Sequence, residues 1–315
     1  MYDILIIGAG PAGLTAAIYG VRGGLKVAFL EKMSYGGQII NTPEVENYPG
    51  AKDVSGFELA DTMYNQAINL GAEMIFGEAS GIEKSIDSEG KPFFKVKTIT
   101  PGLDTEGPTY EAKSVILATG LKQRPAGLDR EEQMTGAGVS YCATCDGGFF
   151  RGKPVAILGG GNTALEDAEY MAQLAEKVYL VHRRDEFRGD EVLVNRLRNK
   201  ENVEFVLDSV PVEIQGEAAV SGLKVRNVKT EETRELLVNA VFVAYGHIPV
   251  NDAFKDIAAL DQTGFFDSGE DCKTETPGLF VAGDCRAKTR RQLVTATADG
   301  AVAAMTAIEY VHNMS

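Results

Sequence analysis

Cys142-Ala-Thr-Cys145-Asp146 places two of the chain's four cysteines three positions apart, with a carboxylate beside the second. Thiols at this spacing can open and close a disulfide, and backbone amides or a neighbouring group can activate one of them as a thiolate. They can also supply half of a zinc site, which needs two further ligands. Cys272 and Cys285 lie 285 − 272 = 13 positions apart and the three histidines are scattered, which matches no usual zinc spacing. No metal is expected, then, and Cys272 and Cys285 read as ordinary thiols, His247 and His312 as structural residues. Asp146 could move a proton for thiol chemistry or cap a helix or turn.

Whatever chemistry the pair does, a scaffold must hold it, and the chain repeats one scaffold twice. Residues 3–31, DILIIGAGPAGLTAAIYGVRGGLKVAFLE, read as a strand, a glycine turn, an Ala-rich helix and a second strand. Residues 154–182, PVAILGGGNTALEDAEYMAQLAEKVYLVH, follow the same plan. From Gly8 to Glu31 is 31 − 8 = 23 positions, and from Gly159 to His182 is 182 − 159 = 23. Gly8-x-Gly10-x-x-Gly13 and Gly159-x-Gly161-x-x-Ala164 are dinucleotide fingerprints, in which small residues permit a tight turn and close approach of a pyrophosphate to a helix N-terminus. Residues 92–118 and 221–244 repeat as well, each a set of short alternating strands ending in an apolar one. The fold class expected is α/β, with two Rossmann-like dinucleotide-binding domains.

The two units differ where their ligands would differ. The first ends its second strand on Glu31, a carboxylate suited to ribose hydroxyls. The second ends on His182-Arg183-Arg184, followed by Arg188, a cationic set suited to a 2′-phosphate and hence to NADPH. FAD is expected at the first site. Its loop through Gly36-Gly37-Gln38, Asn41 and Glu46–Gly50 could surround an extended cofactor, and Thr276–Asp284 reads as a turn and a buried strand ending on Asp284. Asp284 could then meet a ribityl chain at a carboxyl strand end. A helix over residues 291–310 closes the chain, so the second domain reads as an insertion in the first.

Composition bounds the class. A length of 315 residues suits two domains, and no apolar stretch approaches the ~20 residues of a membrane helix. The formal net charge of −14 disfavours nucleic acid and anionic membranes as partners. Few cysteines, and no basic run ahead of the first apolar segment, suit a reducing, cytoplasmic setting.

GAGPAG, GGQ, ENYPG, ATG, CATCDG, GGGNTA, HRRDEFR, GHIP and Arg291-Gln292 together resemble the low-molecular-weight thioredoxin reductases along essentially the whole chain. The resemblance implies an FAD domain over 1–119 and 249–315, with an inserted NADPH domain over 120–248. It assigns the flavin to Gly8, Gly10, Pro11, Ala12, Gly13, Glu31 and Lys32, to Gly36, Gly37, Gln38, Asn41 and Asn47, and to Gly283, Asp284, Arg291, Gln292 and Leu293. NADPH falls to Gly159, Gly161, Asn162, Thr163, Ala164, His182, Arg183, Arg184 and Arg188. Cys285 and Leu293 depart from the residues expected beside their neighbours. Hydride passing from NADPH to FAD and on to Cys142–Cys145, with Asp146 shuttling the proton, would reduce thioredoxin or a thioredoxin-like protein. A ferredoxin-fed relative should lack the HRRxxFR site, and a ferredoxin–NADP reductase should lack CATC. The resemblance further implies a homodimer. It also implies an inserted domain that swings about Thr119–Leu121 and His247–Pro249, with Cys145 nearest the flavin when the disulfide docks there.

Overall fold

The computed structural model of the chain describes every residue except Pro43, Asp104 and Ser315. It divides into two compact units, Met1–Lys122 with Pro249–Ser315, and Gln123–Ile248.

The first unit starts with β1 (Tyr2–Ile7), whose consecutive Ile4, Leu5 and Ile6 are fully buried, as in a parallel strand covered on both faces. Helix α1 (Pro11–Arg22) opens on Pro11, where a missing N–H is harmless and the fixed φ suits a helix. It turns Leu14, Ala16, Ala17 and Ile18 toward the core. β2 (Val27–Glu31) returns parallel to β1 with Ile7 opposite Leu30. Helix α2 (Gly56–Leu70) begins at Ser55, whose hydroxyl accepts from the Glu58 N–H while the Glu58 carboxylate accepts from the Ser55 N–H, a reciprocal cap.

The parallel strands run in the order Glu73–Phe76, β2, β1, Tyr110–Leu117, with Leu279–Val281 beside the carboxyl half of Tyr110–Leu117. Pro92–Thr100 and Glu78–Ile86 extend the sheet antiparallel from the other half of that strand. The C-terminal helix Leu293–His312 joins α1 through an alanine seam, with Ala12 and Ala16 in one core with Ala296, Ala303 and Ala307. It starts two residues later than its sequence suggests, because Gln292 is still extended (φ −140°, ψ 157°) and its N–H donates to Thr295 Oγ1 at 3.0 Å.

The second unit has a parallel sheet in the order Val203–Val206, Lys177–Val181, Pro154–Leu158, Ala240–Val243, Val139–Ser140. The helices Asn162–Met171 and Glu191–Arg198 bury Ala164, Leu165, Ala168, Val194 and Leu197 in one core. The antiparallel strands Ser209–Gln215, Gly222–Asn227 and Thr233–Leu236 contribute Ile214, Leu223, Val225 and Leu236 to another. Both units are thus the Rossmann-like α/β sheets that the repeated fingerprints predict. In each, the first strand lies between neighbours that continue in opposite directions, which leaves a ligand crevice at its carboxyl end.

Candidate active site

In the first unit, the carboxyl ends of three strands stand in register, with Ile7 opposite Leu117 and Leu117 opposite Val281. The fingerprint loop therefore comes to lie beside Ala118 and the Gly283–Asp284 turn. Gly8 has φ +108°, and a Cβ on Gly13 would overlap the Gly8 carbonyl oxygen; only glycine satisfies both constraints. The second glycine pair is packed on the first, since Gly36 N–H donates to Ala9 O at 2.8 Å.

Glu31 is fixed before any ligand arrives. Its Oε2 accepts from the Ala9 N–H at 3.0 Å and its Oε1 from the Lys32 and Met33 N–H groups at 2.9 Å each. A carboxylate has about four acceptor positions, so capacity for a ribose hydroxyl remains. Lys32 points elsewhere, to Glu78 at 2.7 Å. Gln38 Nε2 donates to Leu121 O at 3.3 Å, and Asn47 Nδ2 to Gln292 Oε1 at 3.3 Å, which ties the 44–50 loop to the start of the C-terminal helix. Arg291 lies over the Phe265 ring at 3.9 Å, with Nε donating to Asp284 O and Nη2 to Arg286 O, both at 3.1 Å.

Asp284 has a buried Oδ1 that makes no hydrogen bond. Lys288 Nζ stands 3.3 Å from it, an ion-pair contact without hydrogen-bond alignment. Such an acceptor fits a hydroxyl-bearing ligand in the crevice. Behind it lies a charged cluster that spacing does not reveal, made of Arg286, Lys288 and Asp299.

In the second unit, Asn162 at the fingerprint helix is bound on both amide atoms by Asp190, its Oδ1 accepting from the Asp190 N–H at 2.7 Å and its Nδ2 donating to Asp190 Oδ2 at 3.0 Å. Arg188 N–H donates to Gly160 O at 2.8 Å. These bonds clamp the 183–190 loop to the fingerprint. His182 is buried at the back of the loop; its ring stacks on Phe187, its Nε2 lies 3.0 Å from Glu186 O, and a Cβ on Gly160 would overlap it. Burial, with smaller contributions from Arg183, Arg188 and Arg184, pushes its pKa below the usual 6.5, so it is a neutral wall rather than a cation. Arg183, Arg184 and Arg188 are exposed, and among the described residues none forms a salt bridge. Gly161 and Thr163 open the same helix, and Ala164 is buried beneath them.

Cys142 and Cys145 are joined as a disulfide. They follow the edge strand Val139–Ser140, at the same carboxyl edge of the sheet as Gly159 and Ala244. The helix Ala143–Asp146 starts at Cys142, whose Sγ accepts from the Cys145 N–H at 3.2 Å. Ser140, buried at 4% exposure, donates its hydroxyl to Asp146 Oδ2 at 2.6 Å and accepts from the Cys142 N–H at 3.1 Å. The carboxylate is thereby tied to the redox pair rather than spent on a cap. Ser140 escapes sequence reading. In Asp167 of the fingerprint helix, burial and then the charge of Glu166 raise the carboxyl pKa to about 7. Cys272 and Cys285 are buried free thiols; burial raises both, Cys272 to about 12.

Residues 2–300 match the family described as pyridine nucleotide-disulphide oxidoreductase. The chain is 41% identical over its whole length to the thioredoxin reductase of Listeria monocytogenes, covering 95% of that protein. The chain belongs to the thioredoxin reductase family. The crystal structure of Lactococcus lactis thioredoxin reductase, 38% identical, superposes with a TM-score of 0.84 over 99% of this chain and 100% of that one. The crystal structure of T. acidophilum thioredoxin reductase, 32% identical, gives a TM-score of 0.80 over 100% of this chain and 99% of that one. Membership makes this an oxidoreductase, and the Cys142–Cys145 disulfide fits the redox-active dithiol of a thioredoxin reductase.

Proposed function

We propose that the chain is an NADPH-dependent thioredoxin-disulfide reductase holding FAD in the first unit and NADPH in the second. The observation that carries this reading is the Cys142–Cys145 disulfide with Asp146 bound to Ser140, set in a unit that also presents three exposed arginines at a fingerprint. The flavin set is Gly8, Gly10, Gly13, Glu31, Gly36, Gly37 and Asp284, supported by the buried Asp284 Oδ1 that makes no hydrogen bond. When bound, FAD supplies the two-electron carrier that couples a nicotinamide to a disulfide.

The chain's own residues do the rest. Two electrons and two protons open Cys142–Cys145 to a dithiol, and Asp146 holds the proton released as one thiol ionises. The thiolate attacks one sulfur of the acceptor disulfide and expels the other, giving a mixed disulfide. The second cysteine then attacks that bond, which re-forms Cys142–Cys145 and frees the acceptor as a dithiol. The pair must take electrons at a flavin held by the other unit and then reach a disulfide on the acceptor, so in this reading the inserted unit turns about its two connections between the steps.

A homodimer belongs to the same reading, and the exposed Val294, Ala298, Val302 and Met305 on one side of the C-terminal helix offer it an apolar surface. No helix among the described residues is long and apolar enough to cross a membrane, and a reducing compartment suits two free buried thiols. The test is a purified protein assayed with NADPH, NADH or reduced ferredoxin as donor and thioredoxin as acceptor. A yellow preparation reducing thioredoxin with NADPH bears the proposal out. Turnover with ferredoxin alone would replace it by the ferredoxin-fed reading, and a folded protein that takes up no FAD would end it.

A further inference from the structure

Beside the first crevice lies a charged cluster that the reaction above does not use. Arg286, Lys288 and Asp299 have side chains only 4%, 7% and 9% exposed. Asp299 is saturated. Its Oδ1 accepts from Arg286 Nη2 at 2.9 Å, and its Oδ2 from Arg286 Nε at 2.9 Å, Lys288 Nζ at 2.9 Å and the Gly283 N–H at 3.1 Å, the full acceptor capacity of a carboxylate. Burial alone would raise its pKa, but Arg286 and Lys288 outweigh that and hold it below the ordinary carboxylate value. Arg286 spends its remaining Nη1 on Gly269 O at 3.3 Å, with Glu270 3.6 Å away.

Lys288 is different, because among the described residues it alone forms ion pairs with both carboxylates, Asp284 and Asp299. It touches Asp299 at 2.9 Å, Thr295 Oγ1 at 3.4 Å and Asp284 Oδ1 at 3.3 Å. That last atom is the buried acceptor without a hydrogen bond. The backbone under it is held from two sides, by Asp299 on the Gly283 N–H and by Arg291 on Asp284 O.

We infer that Lys288, locked in place by Asp299, is a positioning residue that keeps the Asp284 carboxylate aimed to accept hydroxyl hydrogen bonds from the polyol of a flavin dinucleotide. The inference rests on the flavin reading above and adds to it the groups that organise the acceptor. Asp299 is thus matched to Lys288 and the turn, and acts on the flavin only through them.

The experiment titrates FAD into apoprotein and reads Kd from flavin fluorescence, with apoprotein thermal unfolding alongside. Lys288→Met leaves the Arg286–Asp299 pair intact, so the apoprotein should unfold near the wild-type temperature while Kd for FAD rises roughly ten- to a hundredfold, as for loss of a contact to a charged group. Lys288→Arg should restore Kd to within about threefold, because a guanidinium can meet both carboxylates. In a background of Asp284→Asn, Lys288→Met should add almost nothing, since the two act as one unit. Asp299→Asn strands Arg286 and should weaken both folding and FAD binding. Lys288→Met with wild-type Kd, or effects of Lys288→Met and Asp284→Asn that simply multiply, would overturn the inference and leave the flavin reading standing. Wild-type apoprotein that binds no FAD would overturn both.

Discussion

Cys142 receives at its sulfur the Cys145 N–H at 3.2 Å and lies at the start of a short helix, so the opened pair has a backbone donor ready for a thiolate there. Both sulfurs are needed to release the acceptor. Cys142→Ser and Cys145→Ser should each lower thioredoxin reduction on the order of a thousandfold or more, as expected for groups that act as a unit. Bound FAD and NADPH-driven reduction of an artificial electron acceptor should persist. An assay with thioredoxin and with a dye checks this, and equal loss in both would point to damage beyond the dithiol. Arg183 and Arg184 are exposed and without salt bridges among the described residues. Changing each to alanine should remove a charge-assisted contact worth ~1.5–3 kcal/mol, raising KM for NADPH about ten- to a hundredfold and leaving that for NADH nearly unchanged. Initial rates with both coenzymes decide it.

The helix Asn162–Met171 holds the fingerprint and also Asp167, whose carboxyl pKa is raised to about 7 from 3.8 by burial and Glu166. A carboxyl raised in the folded state binds protons more tightly folded than unfolded, so stability falls as pH climbs from about 3.8 to 7 and the full penalty is present above that. Asp167→Asn should therefore leave Tm near wild type at pH 4 and raise it at pH 8, with a gain on the order of 2–4 kcal/mol. Thermal unfolding at the two pH values measures this, and a gain of equal size at both would refute the assignment. His182 works in the opposite sense. Its lowered pKa means the 183–190 loop loses stability as pH falls below 6.5, because the buried ring must then take up a proton.

Residues 123–248 form one compact unit with two cores of their own, and their ends lie side by side, Arg124 N–H donating to Gly246 O at 2.8 Å. Expressed alone, this segment should fold cooperatively, form the Cys142–Cys145 disulfide and bind NADPH without flavin, since every proposed NADPH residue lies within it. Circular dichroism and NADPH titration test this, and an unfolded product would show that the unit depends on the rest of the chain. In the full chain, a covalent link that locks the two units together should stop thioredoxin turnover while FAD stays bound. Undiminished turnover in a verified, locked protein would sink the swinging cycle.

Spacing within one β-α-β unit is governed by local backbone geometry, and for that reason the sequence alone determines both fingerprints, Glu31 and the Arg183-Arg184 ending, and the Cys142–Cys145 pair stands out by its spacing as well. Contacts between side chains far apart in the chain follow from packing instead, which carries no periodic signal. The tertiary structure alone turns His182 inward against Gly160 and engages both amide atoms of Asn162 with Asp190; the Asp146–Ser140 bond is shorter in range but likewise follows no helical or strand period. It also gathers Gly283, Asp284, Lys288 and Asp299, because the C-terminal helix is laid on α1 along an alanine seam and so carries Asp299 to the end of the strand Leu279–Val281. A charge buried that way must find its partners through the packed helix, and no spacing along the chain announces them.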